Sequence, residues 1–136
     1  MKRTLWLMAL LMPVAAFGQL IITLNDEELS TGDAPALIHK GRVLVPVRSI
    51  FEKLGATVSW DPVHATVTIS RDDLIAKLFT GSQVLEVNGD ERIMDIEPQH
   101  WNGVMRIPLR AVSELLGGKV HWDSATRTVH IWSKPN

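Results

Sequence analysis

Apolar positions along the chain fall into two blocks that share one rhythm. In the first, Val45 closes a short extended run that leads into Pro46. Val47, Ile50, Phe51 and Leu54 then recur at the i, i+3, i+4, i+7 spacing of a single helix face. Period 2 takes over afterwards: Thr57-Val58-Ser59-Trp60 and Thr66-Val67-Thr68-Ile69 flank a four-residue turn, Pro62 to Ala65. In the second block Leu109, Val112 and Leu116 keep the helical stripe, with Leu115 widening it, and Lys119–Trp122 and Thr128–Ile131 flank the turn Ser124–Arg127. Pro46 and Pro108 suit the first helical position, where the missing N–H would have had no partner. Gly55 and Gly117 stand where a left-handed residue ends a helix. Helices of about nine residues do not hold alone in water, so both must lie on a sheet.

The hairpin spacing sets Trp60 opposite Val67 and Trp122 opposite Val129. Val58, Trp60, Val67 and Ile69 then share the helix-facing side of the pleat, and both tryptophans are expected in the core. Asp61 and Asp123 precede the turns, positions from which a carboxylate accepts a backbone N–H two residues on. Further extended runs are read at Leu20–Leu24, Leu74–Phe79, Gln83–Val87 and Arg92–Ile96, with turns at Gly81-Ser82 and Asn88-Gly89. The expected class is α+β: a twisted antiparallel sheet packed on two short helices.

The two blocks are copies. Val45–Ile69 and Ile107–Ile131 align without a gap at an offset of 62 residues, with 11 identities in 25 positions. The identical pairs include Pro46/Pro108, Arg48/Arg110, Glu52/Glu114, Gly55/Gly117, Trp60/Trp122 and Asp61/Asp123. Gly41/Gly103 extends the match upstream, and Leu24-Asn25-Asp26 matches Val87-Asn88-Gly89 with one residue of slippage. Identity at a fixed offset is the mark of an internal two-fold repeat, with units of about 20–70 and 83–132. Arg48 with Glu52, and Arg110 with Glu114, have i,i+4 spacing, although arginine before glutamate is the weaker order for an ion pair. Their recurrence points to a structural role such as anchoring a neighbouring loop.

The first residues follow a different pattern. Lys2 and Arg3 precede an apolar run from Leu5 to Ala16 and then Gly18, the layout of a secretory signal peptide over residues 1–18. The run is short for a bilayer span, so a retained anchor is the weaker reading. Cleavage is expected after Gly18, with Ala16 as the second choice, leaving residues 19–136 without a stable membrane span. The 12 basic and 15 acidic residues that remain give a net charge of −3, too little positive field for nucleic acid. Cysteine is absent, which removes disulfides, thiolate metal sites and cysteine nucleophiles together.

The doubled pattern G-x3-[VI]-P-[VL]-R-x3-E-x-L-G, then V-x-W-D, then T-V-x-I, resembles the copper amine oxidase N-terminal-like domain, a stalk domain of secreted bacterial proteins. The resemblance covers roughly residues 22 to 132 and implies an antiparallel sheet wrapped on a helix, outside any catalytic machinery. It brings no catalytic residue and no cofactor to this chain. Two positions depart from the pattern: Met105-Arg106 before the second proline, and Ser113 where the first copy has Phe51. The oxidases themselves build a quinone from tyrosine, and this chain contains no tyrosine.

Candidate chemistry is sparse. His121 and His130 oppose each other on the face away from Trp122, and Asp123 shares that face, so copper or zinc is conceivable there. The first copy has Ser59 and Thr68 at the same places, so the fold does not need the pair. Trp101, with His100 beside it in the loop Glu97–Gly103, and Trp132 at the end of the last strand are the candidate binding aromatics. No nucleophile elbow, phosphate loop or metalloprotease motif occurs. The expectation is a non-enzymatic module, secreted or in the periplasm or cell envelope, engaging an envelope polysaccharide or a secreted or surface protein. The alternatives are a metal-handling protein using His121 and His130, and a structural dimerisation unit.

Overall fold

A computed structural model describes residues 20–31 and 34–133. The signal segment read at residues 1–18 lies outside the described residues. The chain begins with strands β1 (Ile21–Leu24) and β2 (Glu27–Glu28), followed by the hairpin β3 (Leu37–His39) and β4 (Arg42–Pro46). Helix α1 (Val47–Lys53) leads to β5 (Thr57–Asp61), β6 (Thr66–Arg71), β7 (Leu74–Phe79), β8 (Val84–Val87) and β9 (Asp90–Ile93). The hairpin β10 (Gln99–Trp101) and β11 (Val104–Pro108), helix α2 (Leu109–Leu116), β12 (Lys119–Asp123) and β13 (Thr128–Trp132) complete it.

The single antiparallel sheet of the expectation is divided into three. Their orders are β12-β13-β1-β2, β10-β11-β4-β3 and β5-β6-β7-β8-β9. The division arises because β4 and β11 each run straight into a helix, and the hairpin after that helix belongs to a different sheet. One pairing is parallel: β1 lies beside β13, with Ile22 opposite Val129 and Leu24 opposite Ile131. The middle sheet joins the two sequence blocks, with Val45 opposite Ile107 and each proline opposite the third residue of the other strand. Both Trp-Asp hairpins take the expected register, Trp60 opposite Val67 and Trp122 opposite Val129.

Local chemistry accounts for most element ends. Pro46 and Pro108 keep extended ψ angles of 128° and 141°, so each is the last strand residue and caps the helix rather than opening it. Gly55 and Gly117 both have positive φ after the helices, as a left-handed terminus requires. Strand β3, not among the expected extended runs, and β10, in the segment expected to be a loop, are made by the two-residue turns Lys40-Gly41 and Asn102-Gly103. All four turn residues have positive φ, the primed-turn geometry that matches strand twist. The run read as Arg92–Ile96 is shifted: β9 ends at Ile93, while Met94 and Ile96 are buried beyond it.

The core lies between the helices and the sheets. Phe51, Ile50, Val47, Ile69, Leu78, Leu85, Ile107, Val112, Val129 and Ile131 are all fully enclosed. In α2 it is Leu115 that is buried, while Leu116 is half-buried. Trp60 departs from the expected core: it is 40% exposed, near the end of the edge strand β5. Trp122 packs against the core but is only half-buried.

Candidate functional site

The displaced Trp60 stands over an open groove of about 430 Å³. Its floor is apolar and comes from both sequence blocks: Val47 of α1, Val58 and Val67 of the first hairpin, and Met105 of β11. Trp60 and His100 form the wall, their rings 5.6 Å apart and tilted by 39°. Arg48, Ser49 and Ser59 supply the polar rim. The Arg48 guanidinium donates to Glu52 Oε1 at 2.9 Å across one exposed helical turn, which holds its side chain along α1. A pocket of this size, mainly apolar with a few polar groups at the margin, is the usual form of a binding site.

The corresponding place in the second block is built differently. There Arg110 does not pair with Glu114; it donates to Asp95 Oδ1 at 3.3 Å, and Arg42 of β4 approaches the same carboxylate at 3.7 Å. Asp95 therefore ties α2 to β4 through the segment after β9. The two arginines that repeat in sequence thus serve different partners.

The other expected site residues separate into two clusters. Trp101 meets His39 edge-to-face, with centroids 5.1 Å apart, and brings the two outer strands of the middle sheet into contact. It is half-buried in β10, so of the loop aromatics only His100 reaches the groove. On the opposite hairpin His121, His130 and Trp132 stack as a ladder, with spacings of 6.2 Å and 5.5 Å. The ladder is tied to the N-terminal hairpin: Thr23 Oγ1 lies 2.8 Å from His130 Nδ1, and the Trp132 indole N–H donates to Asp26 at 3.0 Å. Among the described residues no three His, Asp or Glu side chains gather to hold a metal ion.

At the hairpin turns the carboxylates act as expected. Asp61 Oδ1 accepts the Val63 N–H at 2.9 Å and Asp123 Oδ1 the Ala125 N–H at 3.0 Å. The His64 ring, 2.7 Å from Asp61 Oδ2, leads the contacts that hold the Asp61 carboxyl below its ordinary value of 3.8. The Thr126 N–H does the same for Asp123.

Two functional details escaped the sequence reading. Trp60 was assigned to the core by parity alone, although its place on a terminal hairpin of an antiparallel meander allowed an edge strand. Arg106, in the place of Leu44, is 5% exposed and donates from Nε to the Pro35 carbonyl at 2.8 Å. Burial lowers its pKa from the ordinary arginine value. Its departure from the repeat was the available signal.

No curated protein matches the chain in a sequence comparison. No helix among the described residues is long and apolar enough to cross a membrane. The family model of the copper amine oxidase N-terminal domain matches residues 23–131, which takes in both helices and every described strand apart from the outer ends of β1 and β13. With that match over most of its length, the chain belongs to the copper amine oxidase N-terminal domain family, a family of non-catalytic, stalk-type domains.

Proposed function

We propose that this chain is an exported, non-catalytic binding module that engages its partner through the groove under Trp60. One observation carries the reading: a large aromatic side chain, 40% exposed, stands against His100 over an apolar floor. The counterpart Trp122 is folded against the core. Exposed aromatic surface beside a preformed pocket is costly to leave in water and is recovered by a partner.

The repeat supports this arrangement. Val45 and Ile107, equivalent positions of the two sequence blocks, pair at the centre of the β4–β11 register. The groove lies where the two units join, with α1 and the first hairpin contributed by one unit and β10–β11 by the other. Export follows from the signal pattern over residues 1–18, and it sets the partner class as a cell-envelope polysaccharide or a secreted or surface protein.

The test is retention of cell-envelope glycan and of secreted-protein fractions on the immobilised mature protein, beside a Trp60→Ala/His100→Ala variant with an unchanged thermal melt. Retention that the variant loses is the expected result. Equal retention by both proteins, or none by either, would rule out this groove as the binding surface.

A further inference from the structure

We infer that the groove takes a short, uncharged, extended peptide segment of a partner protein, which adds as a strand to the free edge of β5. The inference rests on the binding role proposed above and names its occupant.

The groove is lined by Val58, Ser59 and Trp60 in succession. The groove also touches Val67 of β6 on the helix-facing side, and because neighbouring side chains on a strand point to opposite faces, Ser59 between Val58 and Trp60 carries it from that face to the edge of β5. β5 is the outer strand of its sheet and hydrogen-bonds only to β6 among the described residues. Four of its five residues are exposed. An edge of this kind offers a row of main-chain donors and acceptors to another chain.

The two copies differ in how they treat this edge. The matching strand β12 carries Lys119 and His121, and a charged or bulky polar side chain is a common guard against strand addition. β5 has Thr57 and Ser59 at those places, both compatible with a strand partner. Its only charged residue, Asp61, is at the end of the strand and committed to the turn. Arg48 on the rim is paired with Glu52. The lining is thus close to neutral, and its complement is an uncharged segment with apolar side chains for the Val47–Met105 floor.

Size argues for a peptide over a second copy of this chain. Five residues of strand are roughly 17 Å long, and a lasting dimer needs about 800 Å² of each partner. One edge of that length, covered by a single added strand about 5 Å wide, falls well short of that and suits a few residues of extended chain.

The probe is the end-blocked pentapeptide Thr-Val-Thr-Ile-Ser, the sequence by which β6 already pairs with β5. It is titrated into the mature protein beside its N-methylated analogue and an N-acetylglucosamine tetramer. Saturable binding of the plain peptide is expected, with hydrogen-exchange protection of alternate β5 amides. N-methylation, Trp60→Ala and Ser59→Lys should each weaken it by about tenfold or more. Ser59→Lys serves as the check should Trp60→Ala fail to fold. Binding of the tetramer but not the peptide would overturn the strand-addition inference and leave the binding role standing. Binding of neither, or peptide binding indifferent to N-methylation, would also overturn it.

Discussion

Asp61 shows how much of a turn can rest on one carboxylate. It accepts the Val63 and His64 N–H groups on one oxygen and meets the His64 ring with the other. These contacts favour the charged form, so its folded pKa lies below the unfolded value of 3.8. A depressed acid pKa stabilises the folded state above the unfolded pKa, and that contribution disappears as pH falls through the folded value. The hairpin turn should therefore weaken only below about pH 4, where the unfolded carboxylate begins to take up its proton. A urea midpoint followed from pH 6 to pH 2 should fall more steeply for the native protein than for Asp61→Asn. Carboxylate titration by NMR at or above 3.8 would contradict the account. Asp61 was legible because the requirement is local: a carboxylate before a four-residue turn has one good use. Trp60 and Arg106 were not, since their exposure and burial depend on strands distant in sequence, and side-chain parity carries no such information.

Between residue and fold, the copied blocks show which element features are dictated locally. The helix stripes, the hairpin registers and the positive-φ residues after each helix were readable because each depends on neighbours within one turn or one hairpin. The strand β10 was missed although Asn102-Gly103 is a strong hairpin signal, because the polar run before it resembled a loop. The blocks also diverge after the helix, where the first copy has a buried Ala56 and the second Gly118. A Cβ at Gly118 would stand 1.9 Å from the carbonyl oxygen of Trp132, a backbone atom that cannot rotate away. Gly118→Ala should therefore force β12 and β13 apart and cost about 2–4 kcal/mol, in the range of overpacked or strained interior sites. Denaturant unfolding measures this directly. A loss under about 0.5 kcal/mol, typical of a surface change, would show that the strand end accommodates the methyl group freely. Ser113, where the first helix has Phe51, turns its hydroxyl to the Gly118 carbonyl at 3.1 Å, so α2 gives up apolar contact for a bond at this same junction.

At the scale of the molecule, the first strand closes the structure onto the last. β1 adds to β13 in parallel, and Ile22 and Leu24 enter the same core as Val129 and Ile131. Thr23 and Asp26 then reach the His130–Trp132 ladder, and Asn25 accepts the Ser133 N–H at 3.0 Å. A parallel pair joining the two ends of the described chain brings together residues more than a hundred positions apart. No pattern within either block announces it, and the offset match of Leu24-Asn25-Asp26 to Val87-Asn88-Gly89 gave only the turn. The pairing makes the N-terminal hairpin part of the fold rather than an attached arm. Removing residues 1–18 should leave the thermal melt unchanged, whereas removal through Glu28 strips two buried aliphatic side chains and uncovers the β13 edge. Loss of one such side chain costs about 2–5 kcal/mol, so losing both consumes most of the 5–15 kcal/mol that holds a typical domain. The longer truncation should therefore lack a cooperative melt and lose dispersed amide resonances. A truncated protein that still melts cooperatively near the native temperature would mean that the two copied blocks close a core without the first strand.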